Sequence, residues 1–256
     1  MRPRILLTND DGIHAPGIAL VEAALAPTCD ITIVAPAVEQ SGRGAGITPF
    51  DAIHYHPCRW EGNTDAWVVS GTPSDCVKVA LAAILETAPH LIISGANHGS
   101  NAGRCIFYSG TIGATITATL KSLPAIAFSF THELHDDHSI PQLTHHFLEN
   151  TPPPGTLINI NIPASPIKGV RLTRQGEALW DDDIATEPHP SQGLLARLGG
   201  ALQLLSEHPE SDTALLEQGY ITATPLHIHT LTDTAYIASQ RNAFESLDLR
   251  TCASKR

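Results

Sequence analysis

The chain has 256 residues, 42% of them apolar and 16% charged, and a formal net charge of −11 at pH 7. That balance describes a globular chain and excludes a disordered one. With only 15 Lys and Arg, scattered along the chain, it also excludes nucleic-acid binding as the main function. No apolar stretch approaches a membrane span, and Met1-Arg2-Pro3-Arg4 runs straight into the first strand, leaving no room for a signal peptide.

The first predicted strand, Ile5 to Thr8, stops at Asn9-Asp10-Asp11-Gly12. Two adjacent carboxylates repel unless a cation sits between them, so this strand end reads either as a metal site or as an ordinary Asp-Asp-Gly turn. Further strands are expected at Ile31 to Ala35, Trp67 to Ser70, Leu91 to Ser94, Ala125 to Ser129 and Leu157 to Ile162. Several are uniformly apolar, as strands buried on both faces of a parallel sheet are. Helices are expected between them at Gly17 to Leu25, Ser74 to Glu86, Thr111 to Leu120 and Ile140 to Glu149. Thr72-Pro73-Ser74-Asp75 has the form of a helix start, with Thr at the cap, Pro at the first position and Asp three after the cap. Strand and helix in alternation predict an α/β, doubly wound, mostly parallel sheet.

Beyond Pro166 the texture changes. Residues 167 to 220 read as irregular, Gly219 to Leu226 as an edge strand and 239 to 249 as a terminal helix. The expected division is a catalytic core over 1–166 and a C-terminal extension over 167–256 that completes the same domain and suits subunit contacts. The triplet Asp181-Asp182-Asp183 reads as an exposed acidic turn rather than a second metal site. Five widely spaced cysteines (Cys29, Cys58, Cys76, Cys105, Cys252) with no Cys-x-x-Cys fit free thiols in a reducing cytoplasm. The histidine pairs His54/His56, His145/His146 and His227/His229 lack a third ligand at zinc-site spacing and read as ordinary polar positions.

In an open parallel sheet, ligands collect at the C-terminal ends of the strands. The ends here deliver Asn9, Asp10 and Asp11, then a loop with Ser41, then Ser70-Gly71-Thr72, then Asn97 within Ser94 to Gly103. A helix start at Ser109-Gly110-Thr111 follows. Carboxylate, hydroxyl and amide oxygens suit a hard cation such as Mg²⁺ or Mn²⁺. A helix N-terminus with free N–H groups suits a phosphate. Together they point to metal-assisted hydrolysis of a phosphate ester.

Four spaced motifs, Ile5 to Gly17 (ILLTNDDGIHAPG), Val34 to Thr48 (VAPAVEQSGRGAGIT), Val69 to Val77 (VSGTPSDCV) and Leu91 to Ser129 (with SGANHGSNAG and YSGTIGA), resemble the SurE family of metal-dependent 5′-nucleotidases. Weaker echoes follow at Asn159 to Pro163, Thr173 to Gly176 and Gly219 to Leu226. The resemblance implies a Rossmann-like three-layer fold with a C-terminal β-hairpin and helix extension exchanged between subunits of a homodimer or homotetramer. It implies a divalent cation, Mg²⁺ or Mn²⁺, on Asp10, Asp11, Ser41 and Asn97, with Asp10 and Asp11 as the catalytic pair. Ser109, Gly110 and Thr111 would face the phosphate of a nucleoside monophosphate substrate. The implied reaction is hydrolysis of nucleoside 5′-monophosphates in the cytoplasm. Broader 3′/5′-nucleotidase and short-chain exopolyphosphatase activity, or nucleotide binding without turnover, are the alternatives. One departure is Ala45, where the family often carries Asn or His beside the phosphate; Arg43 is the neighbouring side chain able to substitute for it.

Overall fold

The computed structural model describes residues 2–62, 64–134, 138–164, 166–181, 183–204 and 207–246. β1 (Arg4–Thr8) leads into α1 (Pro16–Leu25), β2 (Asp30–Pro36), β3 (Tyr55–Cys58), β4 (Asp65–Val69) and α2 (Pro73–Val79). Then come β5 (Leu91–His98), α3 (Gly110–Leu120), β6 (Ala125–Phe130), α4 (Ser139–Glu149) and β7 (Thr156–Ile162). The rest comprises β8 (Val170–Leu172), β9 (Leu179–Trp180), β10 (Asp183–Pro188), β11 (Leu194–Gly199), β12 (Leu202–Gln203), α5 (Asp212–Glu217), β13 (Ile221–His227) and α6 (Thr234–Glu245).

Nine strands form one sheet in the order β3-β4-β2-β1-β5-β6-β7-β13-β8. β4, β2, β1, β5, β6 and β7 are mutually parallel, whereas β3 and β13 run antiparallel to their neighbours β4 and β7. The chain builds one half of the sheet outward from β1, then returns to lay β5 against the other side of β1. That reversal makes the C-terminal mouth between β1 and β5 the switch point where open α/β sheets bind ligands.

Residue alternation along each strand sorts the core into two layers. Ile5, Leu7, Leu91 and Ile93 pack with Ile18, Val21 and Leu25 of α1 and Ile140, Leu143 and Phe147 of α4. Leu6, Val34 and Ile92 point the other way, onto Cys76 and Val77 of α2 and Ala114 and Ala118 of α3. Each fully buried Leu or Ile contributes about 1.5–3 kcal/mol. The helices present the matching stripe: α4 buries Ile140, Leu143, Thr144 and Phe147, spaced three and four apart. α3 is buried on nearly every side, and its Thr115, Thr117 and Thr119 hydroxyls donate to the carbonyls of Ile112, Gly113 and Thr115.

Four expectations shift. The helix predicted over Ser74 to Glu86 is α2 followed by a widened turn over Ala80–Ile84, closed by Leu85 N–H donating to Ala80 O at 2.9 Å. The strand near Gly219 to Leu226 is not an edge, because the three-residue β8 pairs parallel to its far side. Residues 167–220, expected to be irregular, contain the hairpin β10–β11, the short pair β9–β12 and α5, whose cap Ser211 accepts from Ala214 N–H. The terminal helix starts earlier than 239, at Thr234, where Asp233 caps it by accepting from Tyr236 N–H at 2.8 Å. Positions 247–249 of that predicted helix, Asp182 of the acidic triplet and Cys252 lie outside the described residues.

Candidate active site at the switch point

β1 leads into Asn9, whose side-chain amide donates to Gly12 O at 2.8 Å and closes the turn after the strand. Gly12 sits at φ +99, a left-handed conformation that glycine adopts without penalty, and an added Cβ would press on the Val38 backbone at 3.3 Å. This turn aims Asp10 inward and Asp11 toward the mouth. Asp10 is 3% exposed and accepts a hydrogen bond from the Thr111 hydroxyl at the start of α3. Burial pushes its carboxyl up, against the opposing pull of the Thr111 hydroxyl and the backbone around Gly110 and Thr111. Asp11 is half-buried and accepts from His98 N–H at 3.3 Å. Burial first, then the Asp10 and Glu39 charges, push the Asp11 carboxyl up from 3.8 to about 6. Two adjacent carboxylates held in this state are what a cation would relieve.

The loop carrying Ser41 is tied to the same point. Gln40 N–H donates to the Asp10 backbone carbonyl at 2.7 Å, and Gly44 N–H to Tyr108 O at 2.9 Å. Gly113 of α3 permits the approach, since a Cβ there would lie 2.0 Å from Gly44 O. The far end of the loop is held by Asp75, which accepts from Thr48 N–H at 3.1 Å and the Thr48 hydroxyl at 2.7 Å. The Thr72–Asp75 capping box read from the sequence is present, and Thr72 Oγ1 donates to Gly46 O at 2.7 Å. Ser41 itself is exposed and donates to Glu39 Oε1 at 2.8 Å.

Asn97 reaches the mouth from the end of β5, which is bulged against β6 between Ser94 and Asn97; the Gly95–Ala96 peptide is cis. Its side-chain amide donates to Gly99 O at 2.7 Å, which assigns Oδ1 as the atom left for a ligand. α1 crowds this bulge so closely that a Cβ on Gly17 would lie 1.9 Å from Ala96 O. The following loop is held by a buried amide cluster. Asn161 Oδ1 accepts from Asn101 N–H at 2.8 Å, Asn159 Nδ2 donates to Asn101 O at 2.7 Å, and Asn101 Nδ2 donates to Ser129 Oγ at 2.9 Å. Buried Asp212 accepts from the backbone N–H groups of Gly103 (3.2 Å), Gly176 (2.8 Å) and Thr213 (2.8 Å), which ties the C-terminal region to this loop. Ser109 caps α3, its Oγ accepting from Ile112 N–H at 3.2 Å.

Asp10, Asp11 and the Ser41 and Asn97 loops therefore converge on the first turn of α3, where Ser109, Gly110 and Thr111 lie. Glu39, Asn161 and Asp212 were not singled out from the sequence as individual residues, and Asp75 was read there only as part of a helix cap. Glu39, two residues from Ser41, and Asp75, three after Thr72, had a local signal. Among the described residues no three of His, Cys, Asp and Glu cluster as a metal site, so a cation here would have to draw on hydroxyl and amide oxygens as well. His227 and His229 remain an edge-on pair with ring centroids 5.6 Å apart.

A family model described as Survival protein SurE matches residues 5–182. The chain belongs to the SurE family. A protein of Protochlamydia amoebophila called 5′-nucleotidase SurE is 40% identical over 255 residues, covering 96% of this chain and 98% of its own length. One of Moorella thermoacetica with the same name is 38% identical, covering 91% of this chain and 92% of its own. The crystal structure of the SurE protein from Aquifex aeolicus superposes with a TM-score of 0.78 at 30% identity, covering 94% of this chain and all of that one. The SurE fold is thus the α/β sheet described above. Among the described residues, no helix is long and apolar enough to cross a membrane.

Proposed function

We propose that this SurE-family chain is a metal-dependent phosphomonoesterase of the 5′-nucleotidase class, releasing phosphate from nucleoside 5′-monophosphates in the cytoplasm. The observation that supports the reading is the meeting of two burial-strained carboxylates with the loops that carry Ser41 and Asn97 at the start of α3. An all-oxygen donor set of two carboxylates, a hydroxyl and an amide fits a hard divalent cation, Mg²⁺ or Mn²⁺. Such a cation, when bound, supplies charge neutralisation and Lewis acidity.

The roles of the chain's own groups follow from their contacts. Thr111 holds Asp10 in one orientation by donating to it. Asp11, half-buried at the mouth and accepting a hydrogen bond from His98 N–H, is the carboxylate placed to take the proton of the attacking water. The water oxygen then bonds to phosphorus as the phosphorus–ribose oxygen bond breaks, and the ribose oxygen takes up a proton from solvent as the nucleoside leaves. Ser109 uses its oxygen as acceptor in the helix cap, which leaves its proton to donate to a phosphate oxygen beside Gly110 and Thr111.

The extension is the proposed assembly element of a homodimer or homotetramer. Leu194 and Leu198 on the hairpin β10–β11 are 73% and 83% exposed, and Phe244 of α6 is 72% exposed. Apolar exposure on that scale is a feature of interaction surfaces. Analytical ultracentrifugation tests it: a monomer at micromolar concentration overturns this part of the reading.

The activity test is phosphate release from 5′-AMP, 3′-AMP and short polyphosphate, with EDTA and then with Mg²⁺ or Mn²⁺ restored. Turnover that prefers 5′-AMP, stops on chelation and returns with metal supports the proposal. Comparable turnover of all three substrates replaces it with the broader phosphatase reading. Folded protein inert with every metal and substrate replaces it with a nucleotide-binding role.

A further inference from the structure

The geometry points to Arg43 as the side chain that recognises the substrate phosphate, a role that rests on the phosphomonoesterase reading above. The argument begins with charge. The chain is strongly acidic overall, and Asp10, Asp11 and Glu39 together place more negative charge at the mouth than one divalent cation offsets. A phosphate monoester adds a dianion. Binding it there requires a further cationic partner.

The segments that carry the site are residues 9–15, 37–54, 70–72 and 95–111, and they contain two cationic side chains, Arg43 and Arg104. Arg104 is committed, since its guanidinium forms an ion pair with Glu177. Arg43 is exposed and, among the described residues, its guanidinium has no hydrogen-bond or ion-pair partner. It is the uncommitted cation of the site.

Its backbone, by contrast, is fixed. Arg43 N–H donates to Gln40 O at 3.3 Å, and Arg43 O accepts from Gly46 N–H at 3.1 Å. Gly42 and Gly44 on either side adopt φ of +76 and +55, turning the chain tightly around this residue. Gly44 is docked on Tyr108, the residue before Ser109, and on Gly113 of α3. Arg43 therefore stands two residues from Ser41 on one side and beside the α3 start on the other, spanning the metal end and the phosphate end of the site. A planar guanidinium there can make the two parallel hydrogen bonds to phosphate that an ammonium cannot.

The test is calorimetric binding of inorganic phosphate to the Mn²⁺-loaded protein, for the parent chain, Arg43→Gln and Arg43→Lys. Arg43→Gln is expected to weaken phosphate binding about tenfold or more, with Arg43→Lys in between, as loss of a charge-assisted bidentate contact implies. Mn²⁺ affinity and the thermal midpoint should be unchanged in both, because the side chain touches neither ligand nor core. Phosphate binding by Arg43→Gln within about twofold of the parent overturns the role of Arg43 alone. Failure of the Mn²⁺-loaded parent itself to bind phosphate overturns the phosphomonoesterase reading beneath it.

Discussion

Replacing Asp11 by Asn should stabilise the metal-free protein while abolishing its response to metal. The folded Asp11 carboxyl titrates near 6, against 3.8 for an unperturbed one, because burial and the Asp10 charge disfavour its ionised form. The folded state thus binds this proton more tightly than the unfolded chain does. Stability is fully retained below pH 3.8 and lost progressively as pH rises to about 6; the deficit is constant above that. A difference of about two pH units corresponds to about 3 kcal/mol. Asp11 is only partly buried, so solvent screening brings the expected penalty to about 1–2 kcal/mol. Asn keeps an oxygen for the His98 N–H but carries no charge. In EDTA at pH 8 the variant should therefore melt about 2–8 °C above the parent, at about 2–4 °C per kcal/mol for a chain of this size. The gap should close as pH falls toward 4. Saturating Mn²⁺ should reverse the order, since about 2.7 kcal/mol of stabilisation at a hundredfold excess over Kd accrues to the parent alone. Differential scanning fluorimetry across pH, with and without metal, reads both effects. A variant that melts below the parent in EDTA at pH 8, or gains as much from Mn²⁺, would refute the reasoning.

Thr111→Val keeps the shape of α3 but removes the donor to Asp10; turnover or Mn²⁺ affinity should fall about 10- to 100-fold, measured by metal titration of phosphate release. Gly113→Ala would put a Cβ 2.0 Å from Gly44 O and push the Ser41 loop off α3. Both Mn²⁺ affinity and stability should drop, the latter by about 1–3 kcal/mol in urea denaturation. Asp212→Ala strands the N–H groups of Gly103, Gly176 and Thr213, and a loss of about 3 kcal/mol is expected on the same denaturation assay, with Asp212→Asn recovering part of it.

The sheet was legible in the sequence where a strand is buried on both faces. β1, β5 and β6 announce themselves by the apolar runs Ile5 to Leu7, Leu91 to Ile93 and Ala125 to Phe128, buried on both faces, while in β7 apolar residues alternate with the buried Asn159 and Asn161. β3 was invisible for the converse reason. It is an exposed edge strand with Pro57 in it, and a proline lacks the N–H that an interior strand would need. β8 is three exposed residues and carries no periodicity of its own; its place is set by Ile221 and Ala223 of β13 across the sheet. Missing β8 made β13 look like the edge. The hairpin β10–β11 pairs only with itself, so its alternation has no core to answer to and its apolar residues remain exposed.

The site divides along the same physical line. Asp10, Asp11 and Ser41 follow strand ends and Asn97 lies at the end of β5, so chain order alone places them at one edge of a parallel sheet, and reading strand ends finds them. The groups that hold them are different in kind. Asp75 acts on a residue 27 positions away, Asn161 on one 60 away, and Asp212 on one 109 away. Nothing in the local pattern distinguishes a carboxylate that will accept three backbone N–H groups in the core from one that will sit in solvent. Burial is the property that separates them, and burial is set by the whole fold. A ligand set at strand ends can therefore be read from one dimension, whereas the contacts that make it rigid require three. For this chain the consequence is specific: substitutions at Asp75, Asn161 or Asp212 should loosen the site through loops that sequence reading would have left as connectors.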